Sequence, residues 1–169
     1  MRVARKVPAS TVSAAWLLVA PGVVAGLLPW WITGWRPRGL GIWWLPLLAV
    51  GAGLIFLGGA VLLHAFARFV REGCGTPMPA AAPERLVVSG AYRYVRNPMY
   101  VAVLAVILGQ ALVLARLELV WYAVAVFVTC AGFVHLYEQP ALHRRFGGAY
   151  EEYRRAVPAW MPRLRPWNP

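Results

Sequence analysis

The sequence is poor in the residues that build disulfide-rich and metal-binding proteins. It has two cysteines and three histidines in 169 residues. Cys74 is predicted to lie in a cytoplasmic connection and Cys130 inside an apolar helix, so the two do not form a convincing pair. Their placement indicates no disulfide framework, and we expect no metal site.

Several common enzyme motifs are also missing. The chain has no Gly-x-Gly-x-x-Gly turn, no Walker sequence, no His-Glu-x-x-His pair and no nucleophile elbow. A function in nucleotide or hydrolytic chemistry would therefore have to rest on other residues.

Charge is absent from four long stretches, residues 7–35, 39–67, 97–115 and 119–137. A helix needs about 20 residues to cross a bilayer, with about 17 as the lower end. The first two stretches exceed that length, and the last two just reach it. Isolated charges in the middle of a span, expected of a proton-coupled transporter, are missing.

These stretches, in a chain that is 60% hydrophobic, predict an all-α polytopic membrane protein. We expect one domain, residues 1–169, with four transmembrane helices at about 12–34, 42–66, 98–115 and 119–137. A cytoplasmic loop, 67–97, would precede the third helix, and a cytoplasmic tail with a helical segment, 138–169, would follow the fourth.

The basic residues predict the orientation. The chain has 17 Lys and Arg against 6 Asp and Glu. With both termini in the cytoplasm, only Arg36, Arg38 and Arg116 fall on the outer side, as the positive-inside rule requires. We therefore predict cytoplasmic termini, in a bacterial inner membrane. Topology and attraction to anionic lipids account for the net charge of +11, and no nucleic-acid partner is expected.

Polar residues crowd the start of the predicted third helix, in the stretch YRYVRNPMY at residues 92–100. Proline is favoured in the first turn of a helix, so Asn97 is predicted to cap the helix before Pro98. A helix N-terminus attracts anions, and Arg96 beside it would complete a receptor for a carboxylate or phosphate. The alternative is that Arg93 and Arg96 extend to lipid phosphates.

Glu138 is predicted to close the fourth helix at the same membrane face. A carboxylate opposes the dipole there unless it is solvated or has a partner such as a cation or a ribose diol. The short loop 116–118 predicts an antiparallel hairpin of helices three and four, which would bring Glu138 near Arg96. His64 and His135 are further candidates, or are simply hydrogen-bonded. The tail segment 149–157 is amphipathic, with both its tyrosines on one face.

The order and spacing of these residues resemble the isoprenylcysteine carboxyl methyltransferase family, small integral membrane enzymes related to phospholipid methyltransferases. The resemblance covers roughly residues 68–165. It rests on Gly75-Thr76-Pro77, Leu86-Val87, Gly90-x-Tyr92, Arg96-Asn97-Pro98-x-Tyr100, Glu138-Gln139-Pro140, Phe146-Gly147, Tyr150-x-x-Tyr153 and Val157-Pro158.

The resemblance implies methyl transfer from S-adenosylmethionine to a lipid-soluble acceptor, without a metal. It implies catalytic roles for Glu138 and Arg96. The cofactor would contact Leu86, Val87, Tyr92, Arg96, Asn97, Tyr100, Glu138, Tyr150 and Tyr153. The chain departs from the family at two positions. Family members often have histidine at the position of Asn97 and a second glutamate at the position of Gln139.

The chemistry of the cofactor agrees with these residues. It carries a carboxylate for Arg96, a ribose diol for Glu138 and a sulfonium that prefers aromatic surroundings. The acceptor, which would come from the membrane lipid phase, is left open between a carboxylate, a thiol and an amine. Alternatives are a membrane reductase using a nicotinamide cofactor, and a non-enzymatic four-helix transporter or assembly protein.

Overall fold

The computed structural model describes residues 19–39, 41–72 and 85–168. Within these residues the fold is helical and has no strand, which confirms the predicted all-α class. The predicted residues 12–18 of the first span, the middle of the cytoplasmic loop and Cys74 lie outside the described residues. The helices are α1 (Val19–Thr33), α2 (Trp44–Glu72), α3 (Pro98–Leu114), α4 (Leu117–Phe133), α5 (Gln139–Phe146) and α6 (Gly148–Ala156).

Among the described residues, two helices are long and apolar enough to cross a membrane, judged by length and composition. They are Trp44–Phe69, within α2, and Leu117–Phe146, which runs from α4 through α5. Val19–Thr33 and Pro98–Leu114 are apolar but shorter. The described residues therefore contain two candidate spans, and the arrangement of four spans stays a prediction.

Glycines allow α2 and α3 to pack at close range. A Cβ atom on Gly51 would lie 2.7 Å from the carbonyl oxygen of Gly109, and one on Gly109 would lie equally close to the Gly51 carbonyl oxygen. A Cβ atom on Gly58 would lie 2.9 Å from the Ala102 carbonyl oxygen. Small residues at such a crossing are typical of helix pairs in membranes.

Helix α1 is fixed to α3 and α4 by two polar side chains. It contains a π-helical turn, Val23–Leu27. The side-chain amide of Gln110 donates to the Ala25 carbonyl at 2.6 Å, and the Tyr122 hydroxyl donates to the Val24 carbonyl at 2.8 Å. These bonds satisfy carbonyls in and around an irregular turn of an otherwise apolar helix.

Helices α3 and α4 form the predicted antiparallel hairpin. Helix α3 ends at Leu114, Ala115 adopts a left-handed conformation with φ of 51°, and α4 begins at Leu117. With so short a connection, the start of α3 and the far end of α4 lie at one end of the bundle. That end carries Arg96, Tyr100 and Glu138.

The prediction that Glu138 closes the fourth helix is wrong. Helix α4 passes through a π-helical turn, Val134–Glu138, directly into α5. Pro140 has no N–H group to donate, and an ordinary helix would lose a hydrogen bond there. The wider turn accommodates this, because the Gln139 N–H bonds to the Val134 carbonyl five residues earlier. Glu138 is therefore inside a continuous helix, not at an exposed carboxyl end.

Candidate functional site

The segment before α3 is held against α2. It contains a short 3₁₀ helix, Gly90–Arg93, whose first residue has φ of 55°. A Cβ atom on Gly90 would lie 2.7 Å from His64 Nε2, and the positive φ also favours glycine at this position. Val87 and Tyr92 are buried together against Ala65 of α2. His64 thus packs against the segment that carries Tyr92.

Asn97 occupies the predicted N-cap position of α3, but its side chain makes no capping hydrogen bond. Instead its Nδ2 donates to the Ala159 carbonyl at 3.1 Å, and its backbone N–H reaches the same carbonyl at 3.3 Å. The expected cap is therefore wrong, because Asn97 is buried under the C-terminal segment and its amide bonds there.

That segment, residues 157–168, is called here the C-terminal strap. It runs along the start of α3 through backbone hydrogen bonds. The Arg96 N–H donates to the Pro158 carbonyl at 2.9 Å, and the Arg163 N–H donates to the Tyr94 carbonyl at 2.9 Å. The sequence predicted only a cytoplasmic tail with a helical segment here. The strap was missed because its partners lie about sixty residues away.

The Arg96 guanidinium has one nitrogen that is hydrogen-bonded within the protein and one buried nitrogen without a partner among the described residues. Its Nη1 donates to the Tyr150 hydroxyl at 3.1 Å. Its Nε is buried and has no partner among the described residues. Tyr150, in α6, is 3% exposed. A guanidinium held in this way has a fixed donor free for an acceptor outside the described residues.

Glu138 lies near enough to Arg96 for the two charges to interact, as the hairpin predicted. The Tyr100 hydroxyl donates to Glu138 Oε2 at 3.4 Å. Glu138 also interacts electrostatically with Arg96 and with Tyr92. The hairpin and the 3₁₀ segment thus bring a cation, a carboxylate and two phenols together at one end of the bundle.

Tyr153 supports this arrangement from α6. Its hydroxyl donates to the Tyr92 carbonyl at 2.7 Å, and its ring is 3% exposed. Leu86 packs against the buried cluster that contains Tyr150 and Tyr153. The predicted amphipathic tail helix is confirmed, since both tyrosines lie on its buried face.

The Tyr92 hydroxyl is a second buried polar atom without a partner among the described residues. Burial raises the pKa of Tyr92 well above its usual range, so the hydroxyl stays protonated. Burial likewise raises the pKa of Tyr150, and the neighbouring Arg96 only partly offsets it. These groups are therefore neutral hydrogen-bond donors at physiological pH.

The arrangement suits a small zwitterionic ligand. Arg96 and the Tyr92 hydroxyl can donate to an anionic group, while Glu138 can accept from hydroxyls or face a cation. His135, by contrast, is exposed on the π-helical turn. The described residues contain no group of three or more His, Cys, Asp or Glu that could hold a metal ion.

One aromatic residue at this site was not predicted. Trp160, in the C-terminal strap, has its ring centroid 6.3 Å from that of Tyr100 and 5.1 Å from that of Phe127. The only sequence signal is a tryptophan soon after Val157-Pro158, which does not indicate where its ring lies.

Comparison with known proteins gave one family match. A family model described as phospholipid methyltransferase matches residues 46–149. The matched stretch includes the site residues from Leu86 to Glu138 and ends just before Tyr150. Comparisons with curated proteins and with solved structures gave no match.

Proposed function

The chain belongs to the phospholipid methyltransferase family, and from that membership we propose that it is an S-adenosylmethionine-dependent methyltransferase acting on a lipid-soluble acceptor. The proposed place of action is the cytoplasmic face of a bacterial inner membrane. The observation that carries the proposal is the cluster of Arg96, Tyr92, Tyr100, Glu138 and Tyr150. Three separate segments bring these residues to one end of an apolar helix bundle.

The unpartnered atoms of the cluster fit S-adenosylmethionine. Leaving a buried donor without a partner costs about 1–3 kcal/mol, so such atoms indicate a missing acceptor. Arg96 Nε and the Tyr92 hydroxyl are both donors of this kind. A carboxylate would satisfy Arg96, and an acceptor elsewhere on the cofactor would satisfy Tyr92. Glu138 offers an acceptor for the ribose hydroxyls.

When bound, S-adenosylmethionine supplies a methyl group activated by a positively charged sulfur. The chain's own residues would bind and orient it: Arg96 would hold the carboxylate, Glu138 would accept from the ribose hydroxyls, and the aromatic rings would surround the positive charge. Helix α6 and the C-terminal strap cover the aqueous side, where they exclude water. Because methyl transfer needs little besides alignment, such positioning supplies most of the rate.

The need for a base depends on the acceptor. A carboxylate or thiolate attacks without losing a proton. An ammonium must first lose one, and Glu138 is the residue that we propose takes it, because it is the carboxylate in the cluster. Tyr150 is a weaker base candidate, because burial raises its pKa and its hydroxyl accepts from Arg96.

The acceptor is proposed to arrive sideways from the bilayer. The aqueous side of the cluster is covered by α6 and the strap, whereas the outer surfaces of α2 and α4 expose large apolar side chains, among them Phe56, Leu57, Trp121 and Val128. A lipid-soluble acceptor reaches such a surface from the hydrocarbon phase, and the cofactor reaches the cluster from the cytoplasm.

Methyl transfer itself tests the proposal. Protein purified into lipid nanodiscs is incubated with S-adenosylmethionine labelled on its methyl group, and label in the organic extract is counted. We expect label in a lipid product with wild-type protein and a large loss with Arg96→Ala. Arg38→Ala is the matched control, since Arg38 pairs at 2.8 Å with Glu118 in the first turn of α4, at the other end of the bundle. The proposal fails if wild-type protein transfers no label to lipid extract, prenylcysteine or phosphatidylethanolamine.

A further inference from the structure

Trp160 extends the C-terminal strap to the side of the helix hairpin. Its half-buried ring packs edge-on against Phe127 of α4, with centroids 5.1 Å apart, and also approaches Tyr100 of α3 at 6.3 Å. The strap is therefore not confined to the aqueous end of the bundle. One of its side chains lies where α3 and α4 meet.

The position of Phe127 places this contact below the polar cluster. Phe127 lies about 16 Å along the helix from Glu138, at about 1.5 Å per residue. It belongs to the apolar candidate span Leu117–Phe146, and 39% of its surface is exposed. Trp160 is thus in contact with a partly exposed residue of a candidate membrane span.

Tyr100 connects Trp160 to the reactive cluster. Its ring approaches Trp160, while its hydroxyl donates to Glu138 at 3.4 Å. Trp160 therefore borders the cluster on the side of Phe127 and the apolar span, as Arg96 and Tyr150 border it on the side of α6. A molecule that moved from the bilayer towards Glu138 between α3 and α4 would pass the indole ring.

We propose that Trp160 is the bilayer-side wall of the acceptor site. Its indole ring packs against the hydrocarbon tail of the acceptor and so directs the reactive headgroup towards Glu138. A tryptophan suits this position, because it offers a large, rigid apolar face at small entropic cost. The inference rests on the proposed function and adds a positioning residue to it.

Kinetics with two tail-bearing probes test the role. The probes are dioleoylphosphatidylethanolamine in vesicles and N-acetyl-S-farnesylcysteine. We expect Trp160→Ala to raise KM for the probe that the protein methylates by about tenfold, as for the loss of burial of about two methylene groups. We expect kcat to change by less than about twofold and the Kd for S-adenosylmethionine to stay unchanged.

Two further variants separate positioning from folding. Trp160→Phe keeps a ring and should restore most of the wild-type KM. Met161→Ala alters the adjacent strap residue, which is 77% exposed, and should behave as wild type. An unchanged KM in Trp160→Ala would overturn the proposal. So would a rise in KM in Met161→Ala as large as that in Trp160→Ala.

Fluorescence quenching tests the location of the ring without any turnover. The chain has nine tryptophans, so the signal of Trp160 is taken as the difference between wild type and Trp160→Phe. In nanodiscs of lipids with dibrominated acyl chains, we expect that difference signal to be strongly quenched. An unquenched signal would overturn the proposal even if methylation were observed. Failure to bind S-adenosylmethionine would sink the proposed function separately.

Discussion

Arg96 owes its position to two regions that are distant in the sequence. Its backbone N–H is tied to Pro158 of the strap, and its Nη1 donates to Tyr150 of α6. The alternative given above, in which Arg96 extends to lipid phosphates, requires a side chain that is free to leave the protein surface. The structure instead shows a guanidinium clamped by a buried phenol, with Nε left over inside the protein.

Tyr153 provides a test of how the cluster is supported. Replacing Tyr153 by Phe removes the hydroxyl that donates to the Tyr92 carbonyl at 2.7 Å. Because both groups are buried, we expect a loss of about 1–3 kcal/mol in the free energy of unfolding. Thermal unfolding in detergent measures it. Tyr94→Phe, at a residue 38% exposed, is the control. Equal stability of the two variants would contradict a supporting role for Tyr153.

Sequence reasoning reached part of the site at this scale. The tyrosine face of α6 follows from its helical spacing, and the nearness of Arg96 and Glu138 follows from the short hairpin loop. The use of Asn97 could not be predicted in the same way. An asparagine before a proline at a helix start has the pattern of a cap. No local pattern shows that its side-chain amide instead donates to the C-terminal strap.

At the scale of helices, the contact between α2 and α3 is set by glycine. We expect Gly51→Ala to destabilise the protein by about 1–3 kcal/mol, because its Cβ would lie 2.7 Å from the Gly109 carbonyl oxygen. Gly53→Ala is the matched control two residues away, where a Cβ would meet nothing within 4 Å. It should be neutral or stabilising, by up to about 1 kcal/mol of helix propensity.

Chemical or thermal unfolding of the two glycine variants in the same detergent decides this point. Gly51→Ala should unfold at a lower temperature than wild type, and Gly53→Ala should not. Equal unfolding of both would mean that the close crossing does not contribute to stability.

The run from α4 to α5 shows where pattern reading fails for whole elements. A proline and a glutamate after an apolar run predict a helix end, and both are present at Glu138 and Pro140. The π-helical turn lets the helix continue past Pro140. In this turn the Gln139 N–H bonds to the fifth preceding residue instead of the fourth. The spacing of apolar residues before the turn does not indicate this change of hydrogen-bond partner, so the sequence alone could not reveal the π-helical turn.

For the molecule as a whole, the proposed chemistry requires one orientation in the membrane. The strap and α6 must face the cytoplasm, where S-adenosylmethionine is available, and the loop around Arg36 and Arg38 must face outwards. The apolar lengths of the helices do not fix this direction. The distribution of basic residues predicts it, through the positive-inside rule.

Cysteine labelling tests the orientation. With Cys74 and Cys130 replaced, single cysteines are introduced at Gly39 and at Leu164, both exposed in the structure. In inner-membrane vesicles of known sidedness, a membrane-impermeant reagent should label the two positions from opposite sides. Labelling of both from one side, or labelling of the Gly39 position from the cytoplasmic side, would contradict the predicted orientation.

Equilibrium binding of S-adenosylmethionine to the purified protein tests the central claim most directly. We expect wild-type protein to bind, and Arg96→Ala and Glu138→Ala each to bind about one to two decades more weakly, as the loss of about 1.5–3 kcal/mol from a charge-assisted contact requires. Arg38→Ala should bind as wild type. Absence of binding by wild-type protein, or equal affinity in all four proteins, would contradict the assignment of this cluster as the cofactor site.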